Sequence, residues 1–399
     1  MRQAIILCLI WCLTGVAYAL PPPVLKAKSA IVVDAETGQV LYELRADERR
    51  PMASTTKMMT AILLIERGNL DDLVVATENA IHTRYANLNM TPGETIPLRD
   101  LLYAILLRSS NDGSVAAAEY LCGTEERFVQ LMNEKAQELG LTNTHFANPH
   151  GLDHPEHYST ARDLATLARY CIQNPVFNEI VRTRRVRILR SVNQQDVIVT
   201  ARAKVLKYLA GADGIKSGYT AKAGRCFVGS VTRDGWRLIS VVLGSTDADS
   251  DTRALIEWAY KQYTRIDLAK AGGTVGAVQV DGAEPESVPV VASAPLRVIV
   301  PRRWEDEVKP VLHLTPVHPP IERGQPLGEL RAVLRGKVVA KVPVAAAVEA
   351  RVVTGSALTV WMVLGGIAWL VSYYARRGLL MGYRRAGNVR RSGIMRREE

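Results

Sequence analysis

Pro51-Met52-Ala53-Ser54-Thr55-Thr56-Lys57 sets a hydroxyl and an amine three residues apart at the mouth of an apolar run, Met58-Met59-Thr60-Ala61-Ile62-Leu63-Leu64-Ile65. The apolar residues recur at helical spacing, and Ser54 is a residue type suited to a helix N-cap. Positions i and i+3 of a helix share a face, so Ser54 Oγ and Lys57 Nζ can point into one pocket. An activated serine needs that pairing: a nucleophile, and beside it an amine able to take its proton once the amine's charge is suppressed. Alone the S-x-x-K pattern is weak, since any helix start can carry Ser and Lys. Its weight comes from two further elements downstream in the chain.

Upstream, Ser29 to Asp34 and Gln39 to Leu44 run apolar or alternate around Ala35-Glu36-Thr37-Gly38, which predicts a β-hairpin leading into the Ser54 helix. Helical periodicity covers Leu98 to Arg108, is interrupted by Ser109-Ser110-Asn111, and resumes from Val115 to Leu121. Further helices are expected over Phe128 to Leu139 and Ala161 to Ile172. Strand character returns at Val197 to Thr200, Phe227 to Val231 and Leu238 to Gly244, and Thr252 to Tyr263 reads as a closing helix. Strands at both ends around a helical middle imply one antiparallel sheet assembled from both termini, with helices packed on it.

From about Ile266 the composition shifts to Gly, Pro and Val. Short β-like runs appear at Val275 to Val280, Leu296 to Val300, Leu327 to Leu334 and Val338 to Val342, with a turn at Arg335-Gly336-Lys337. This predicts a small all-β domain over 266–350. Met1-Arg2, an apolar run from about Ala4 to Val16 and Ala17-Tyr18-Ala19 read as a cleaved signal peptide, 1–19. Ser356 to Ala375 offers 20 residues without a charge, which as a helix spans about 30 Å, one hydrocarbon core. Arg376-Arg377 follow, so a basic tail, 376–399, is expected in the cytoplasm, with everything before residue 356 outside the cytoplasmic membrane. The net charge of +10 is therefore no nucleic-acid signal: eight arginines and two glutamates lie beyond residue 375, placing +6 of it in that tail. Once Cys8 and Cys12 leave with the signal, Cys122, Cys171 and Cys226 remain in apolar surroundings, and buried free thiols are expected.

Three short elements recur in order: Ser54-Thr55-Thr56-Lys57, Ser109-Ser110-Asn111 and Lys216-Ser217-Gly218. Each has a bland reading. Ser109 suits a helix terminator and Asn111 a cap; Lys216 suits a solvated strand and Gly218 a bulge. Together, in this order, they are far more specific than any one of them.

With these motifs the sequence resembles the penicillin-recognising serine enzymes, and among them the low-molecular-mass D-alanyl-D-alanine carboxypeptidases. Phe146-Ala147-Asn148-Pro149-His150-Gly151-Leu152, His157-Tyr158-Ser159-Thr160-Ala161 and Gly211-Ala212-Asp213-Gly214-Ile215-Lys216-Ser217-Gly218-Tyr219-Thr220 carry the likeness. The resemblance implies an α/β (α+β) fold of the serine β-lactamase/transpeptidase type, a five-stranded antiparallel sheet flanked by helices, over residues 20–265. It further implies that Ser54 attacks the carbonyl between the terminal D-alanines of a peptidoglycan stem peptide, with Lys57 as general base. Ser109 would relay the proton to the leaving group and Asn111 would hold a substrate amide. Lys216 would supply positive potential, and backbone N–H groups of Ser54 and Tyr219 would form the oxyanion hole. The strand Lys216 to Thr220, through Ser217, Gly218, Tyr219 and Thr220, would pair with the substrate. β-Lactams would acylate Ser54, and no cofactor is implied.

The sequence departs from the family pattern at several points. Ser217 replaces the commoner threonine but keeps the hydroxyl. Ala248 stands where relatives often carry an arginine for the terminal carboxylate; Ser217, Thr220 and Arg225 are the candidates left for it, Arg253 lying five residues on. An amide-rich stretch of relatives is here Ala201-Arg202-Ala203. His145, His150, His154 and His157 crowd one loop, yet their spacing matches no familiar ligand pattern, and a loop shaping the cleft is the expectation rather than a metal site. A β-lactamase of the same fold is the alternative enzyme, opposed by the lack of a glutamate in an E-x-x-L-N-like setting. A non-catalytic peptidoglycan-binding or sporulation scaffold is the alternative outside enzymes.

Overall fold

The computed structural model describes residues 20–353 and 357–386. The chain divides into two compact units: residues up to Ile266 with Ile299–Asp306, and Asp267–Val298 with the chain from Glu307 onward.

In the first unit the hairpin Ser29–Asp34/Val40–Leu44 joins three later strands in one five-stranded sheet. Its order is Val40–Leu44, Ser29–Asp34, Trp236–Ser245, Gly224–Arg233, Ala212–Thr220. Every pairing is antiparallel, so the sheet is built from both ends of the unit. Side chains alternate across it. Ile31, Val33, Ile239 and Val241 enter one core with the central helices, while Ala30, Val32, Leu238 and Val242 enter another with Leu255, Ile256 and Ala259 of the helix Ala248–Gln262. The sheet is therefore buried on both faces, as the second core explains: a final helix covers the face that the middle helices leave open.

The helix Lys57–Arg67 is the axis of the larger core, with Lys57 through Leu64 all buried. A helix with no polar face over its first two turns must lie inside, and only its C-terminal residues Glu66 and Arg67 are exposed. Around it stand Leu98–Tyr103, Asn111–Cys122, Glu125–Glu138, Ala161–Cys171 and Pro175–Arg182. The last of these was not read from the sequence. Its start is plain in hindsight: Asn174 Oδ1 accepts from Val176 and Phe177 N–H, and Pro175 takes the first helical position. Cys122, Cys171 and Cys226 are free thiols, the last two buried.

The second unit carries a five-stranded antiparallel sheet in the order Thr274–Gln279, Ser287–Ala292, Lys337–Ala346, Pro326–Leu334, Val308–Leu314. Arg335 and Gly336, at φ +51° and +78°, form the tight turn expected between its longest strands. Val308–Leu314 and Ser287–Ala292 escaped the sequence pattern because each contains a proline; Pro310 is tolerated because its strand lies at the sheet edge. A helix runs from Ala357 to Ala386 over most of the expected membrane segment. Among the described residues no helix is long and apolar enough to cross a membrane. The expected signal segment 1–19, Ser356 and the tail beyond residue 386 lie outside the described residues.

One ion pair in the first unit is entirely enclosed. Arg190 donates through Nε and Nη2 to the two carboxylate oxygens of Glu94 at 2.6 and 3.0 Å, and through Nη1 to the carbonyls of Leu88 and Asp196. Neither side chain is exposed. The pair ties the loop before Glu94 to the hairpin Arg185–Arg187/Ile198–Thr200. Arg190→Met strands a buried carboxylate, so it should cost about 3–5 kcal/mol, read as a lowered urea midpoint. The double variant E94Q/R190M should recover part of that loss.

Candidate active site

Ser54 sits in a single 3₁₀ turn, Ala53–Thr56, that feeds the helix Lys57–Arg67. The sequence suggested Ser54 as a helix cap; instead Thr56 occupies that position and neither residue makes a side-chain cap bond. Thr56 Oγ1 donates to the Ala53 carbonyl and meets His157 Nε2 at 2.7 Å. The Ser54 hydroxyl is thus not spent on the backbone of its own helix. Ala53 holds φ at +49°, a left-handed conformation costly for any residue with a side chain.

Lys57 Nζ, on a fully buried side chain, has three neighbours: Ser54 Oγ at 3.1 Å, Asn111 Oδ1 at 2.7 Å and the His150 carbonyl at 2.5 Å. Burial, then the positive charges of Lys216 and Arg202, hold its pKa well below 10.5. A neutral amine keeps two N–H donors and gains a lone pair. With Asn111 and His150 as fixed acceptors, the lone pair is left facing the serine hydroxyl.

Ser109 ends a π-helical stretch, Ala104–Arg108, in a left-handed conformation at φ +68°. Ser110, not Asn111, caps the next helix, its Oγ accepting from Gly113 N–H at 2.9 Å. That division of labour releases Ser109 Oγ to accept from Lys216 Nζ at 3.0 Å, and lets Asn111 turn inward from the first position of the helix. Asn111 Nδ2 donates to the Arg84 carbonyl, which fixes the amide with its oxygen toward Lys57. Lys216 is buried too; burial first, and Arg202 second, bring its pKa down to about 7.

The edge strand Ala212–Thr220 passes so close to the serine turn that only glycine fits. A Cβ on Gly218 would lie 2.7 Å from Ser54 N, and one on Gly151 would lie 2.1 Å from the Ala53 carbonyl oxygen. The strand at Gly218 thereby comes directly against the backbone nitrogen of Ser54. Ser217 and Tyr219 line the cleft, with Arg225 stacked over the exposed Tyr219 ring at 5.6 Å. Thr220 lies farther out and donates to Asp153 Oδ1 at 2.7 Å. The cleft, about 310 Å³, runs from Ser54 and Ser109 past Arg202 to Arg225 and Ala248.

Two participants had no role in the sequence reading. The carbonyl of His150 is an invisible ligand, because a backbone acceptor leaves no mark in residue type. Arg202 is exposed at the cleft wall and depresses both lysines. The histidine loop is structural: His157 Nδ1 accepts from Ala147 N–H, so its Nε2–H faces Thr56. Burial drives the pKa of both His150 and His157 down to about 3. Cys226, also in the cleft wall, has its thiol pushed up to about 11 by burial and is a poor nucleophile.

The family model described as D-alanyl-D-alanine carboxypeptidase matches residues 17–247, and that for the penicillin-binding protein 5 C-terminal domain matches 263–351. The chain is 33% identical to the D-alanyl-D-alanine carboxypeptidase DacF of Bacillus subtilis, over 80% of this chain and 85% of that one. It is 31% identical to DacA of Escherichia coli, a protein of the same description, over 80% and 83%. Penicillin binding protein 5 of Haemophilus influenzae superposes with a TM-score of 0.70 at 28% identity, over 83% of this chain and 99% of that one.

Only the neutral form of Lys57 can take a proton, so reactivity must rise as pH passes its pKa. Labelling of Ser54 by a serine-directed fluorophosphonate should climb through a midpoint well below 10.5. Arg202→Ala, which removes a neighbouring positive charge, should move that midpoint upward.

Proposed function

The chain belongs to the D-alanyl-D-alanine carboxypeptidase family, and from that membership we propose that it removes the terminal D-alanine from peptidoglycan stem pentapeptides through an ester on Ser54. The observation that carries this reading is the Lys57 amine 3.1 Å from Ser54 Oγ, with its charge suppressed first by burial and then by Lys216 and Arg202.

Ser54 Oγ attacks the carbonyl between the two D-alanines as its proton passes to Lys57 Nζ, a general-base step worth on the order of 10²–10⁴ in rate. The oxyanion is received by the N–H groups of Ser54 and Tyr219, each worth about 10²–10³. Ser109, held by Lys216, hands a proton to the departing nitrogen. The second N–H of Asn111 Nδ2 and the strand Ser217–Tyr219 bind the substrate backbone. Thr220 is committed to Asp153, so the terminal carboxylate falls to Ser217 and the cations Arg202 and Arg225, which share the cleft. Water then hydrolyses the ester. A β-lactam presents a strained amide and a carboxylate to the same groups and leaves a long-lived adduct on Ser54.

The reading extends to location. The signal-like segment 1–19 and the uncharged stretch from Ser356 to Ala375 support an enzyme exported and then tethered by one C-terminal span. The tether keeps the catalytic unit on the outer side of the cytoplasmic membrane, with the arginine-rich tail within.

Purified protein should release D-alanine from a soluble pentapeptide and should gain the mass of penicillin. Ser54→Ala should abolish both. Lys57→Ala should reduce turnover at least about 10²-fold. Arg202→Ala should raise KM for a substrate with a free carboxylate more than for its terminal amide. Turnover surviving in S54A, or rapid hydrolysis of penicillin, would overturn the assignment.

A further inference from the structure

Four of the six residues from Arg182 to Arg187 are arginines, with no acid among them. Arg182 ends the helix Pro175–Arg182. Arg185 and Arg187 stand two apart on a strand, so both project from its outer face while Val186 packs against the core. Beside them lies a hollow of about 670 Å³, whose walls include Arg182, Arg184, Lys207 and Tyr208. The one acid in its lining is the buried Asp213, near the start of the strand Ala212–Thr220. The hollow shares no lining residue with the serine cleft, and on the order of 16 Å of strand separates Asp213 from Gly218.

The hollow is more positive than its own acid can neutralise. Asp213 meets Arg182 Nε at 3.3 Å and Arg237 Nε at 3.6 Å, and accepts from Thr232 Oγ1. One carboxylate is thus shared by two guanidiniums, and Arg237 Nη2 is still buried without a partner. Among the described residues Arg184, Arg185, Arg187 and Lys207 form no ion pair, and all four are exposed. Like charges gathered without acids repel one another and lower stability. Outside its tail the chain is nearly balanced, so the gathering is no by-product of overall charge. None of these cations takes part in the acyl transfer.

Guanidiniums grip phosphate with paired N–H donors, and a lysine adds a point charge. The basic track runs on past the hollow to Arg185 and Arg187, farther than one phosphate reaches, which favours a ligand with repeated phosphates. The surface is concave. A bilayer, flat on this scale, would meet only the rim, whereas a flexible chain can lie inside. The exposed ring of Tyr208 offers an apolar face to the carbons between phosphates. We propose that the hollow and the hairpin Arg185–Arg187/Ile198–Thr200 form a second binding site, which takes a flexible polymer of polyol phosphates such as poly(glycerol phosphate). The site holds the catalytic unit on an anionic polymer without entering the reaction. It stands apart from the carboxypeptidase reading, since it uses none of the residues of acyl transfer.

Labelled poly(glycerol phosphate) should bind the full chain, read by fluorescence anisotropy, and the binding should weaken as salt is raised. The double variant R184A/K207A removes two exposed side chains and leaves Asp213 paired. It should weaken binding at least about tenfold, as expected for two lost charge-assisted contacts, without lowering the thermal midpoint or the release of D-alanine from a soluble pentapeptide. K309A/K337A, which removes two exposed lysines of the second unit, should bind as the wild type does. Absence of polymer binding, or an equal loss in the two double variants, would overturn the site. Equally tight binding of polyglutamate would overturn the assignment to phosphate. Preference for phosphatidylglycerol over phosphatidylcholine vesicles, stronger than the polymer binding and lost in R184A/K207A, would overturn the polymer in favour of a lipid headgroup.

Discussion

An amine that cannot comfortably hold its charge is the constraint on which the site depends. Lys57 is enclosed at the head of a helix with no polar face over its first two turns, and two further cations lie close by. In such surroundings an ammonium loses its hydration and meets like charge, and the neutral form is the one the fold favours. The cost of enclosing it is offset by acceptors that come from three separate places: the serine turn, the start of the helix Asn111–Cys122 and the loop at His150. Much of the first unit serves to bring those places to one point. Arg190 and Glu94 brace the loop whose Arg84 carbonyl orients Asn111, and His157 braces the turn that carries Ser54.

Two unusual backbone conformations lie where the chemistry is. Ala53 and Ser109 both adopt left-handed conformations without being glycine, each at a cost of order 1–3 kcal/mol. Gly151 and Gly218 are the opposite device, positions where any side chain would strike the serine turn. The two devices have one effect. They let backbone from distant parts of the chain approach Ser54 more closely than regular helix or strand packing allows, and the surrounding core holds the strain in place.

The sheet was legible in the sequence because apolar alternation at Ser29–Asp34 and Leu238–Gly244 marks strands, and a helical middle leaves few ways to join them. The three motifs were legible because they place rare combinations of hydroxyl, amine and glycine in order. What escaped was local competition and backbone chemistry. Ser54, Ser110 and Asn111 all suit a cap, and residue type alone does not say that Ser110 takes the role and frees its neighbours. The His150 carbonyl bears no signature at all. Arg202 read as a mere departure from an amide-rich stretch, because its importance lies in a field felt by two lysines far away in sequence. The helix at Pro175 was missed for want of length, although its Asn-Pro start was visible.

The order of the sheet sets a limit on when this active site can exist. Ser29–Asp34 is hydrogen-bonded to Trp236–Ser245, and the serine turn near the start of the chain is closed off by a strand made more than 150 residues later. Such pairings are closed late, since they must overcome the entropy of a long intervening loop. A growing chain that has not yet delivered Lys216 and Gly218 carries Ser54 as an ordinary alcohol. Activation thus waits on completion of the fold, and the nucleophile is harmless until nearly the whole catalytic unit has been assembled around it.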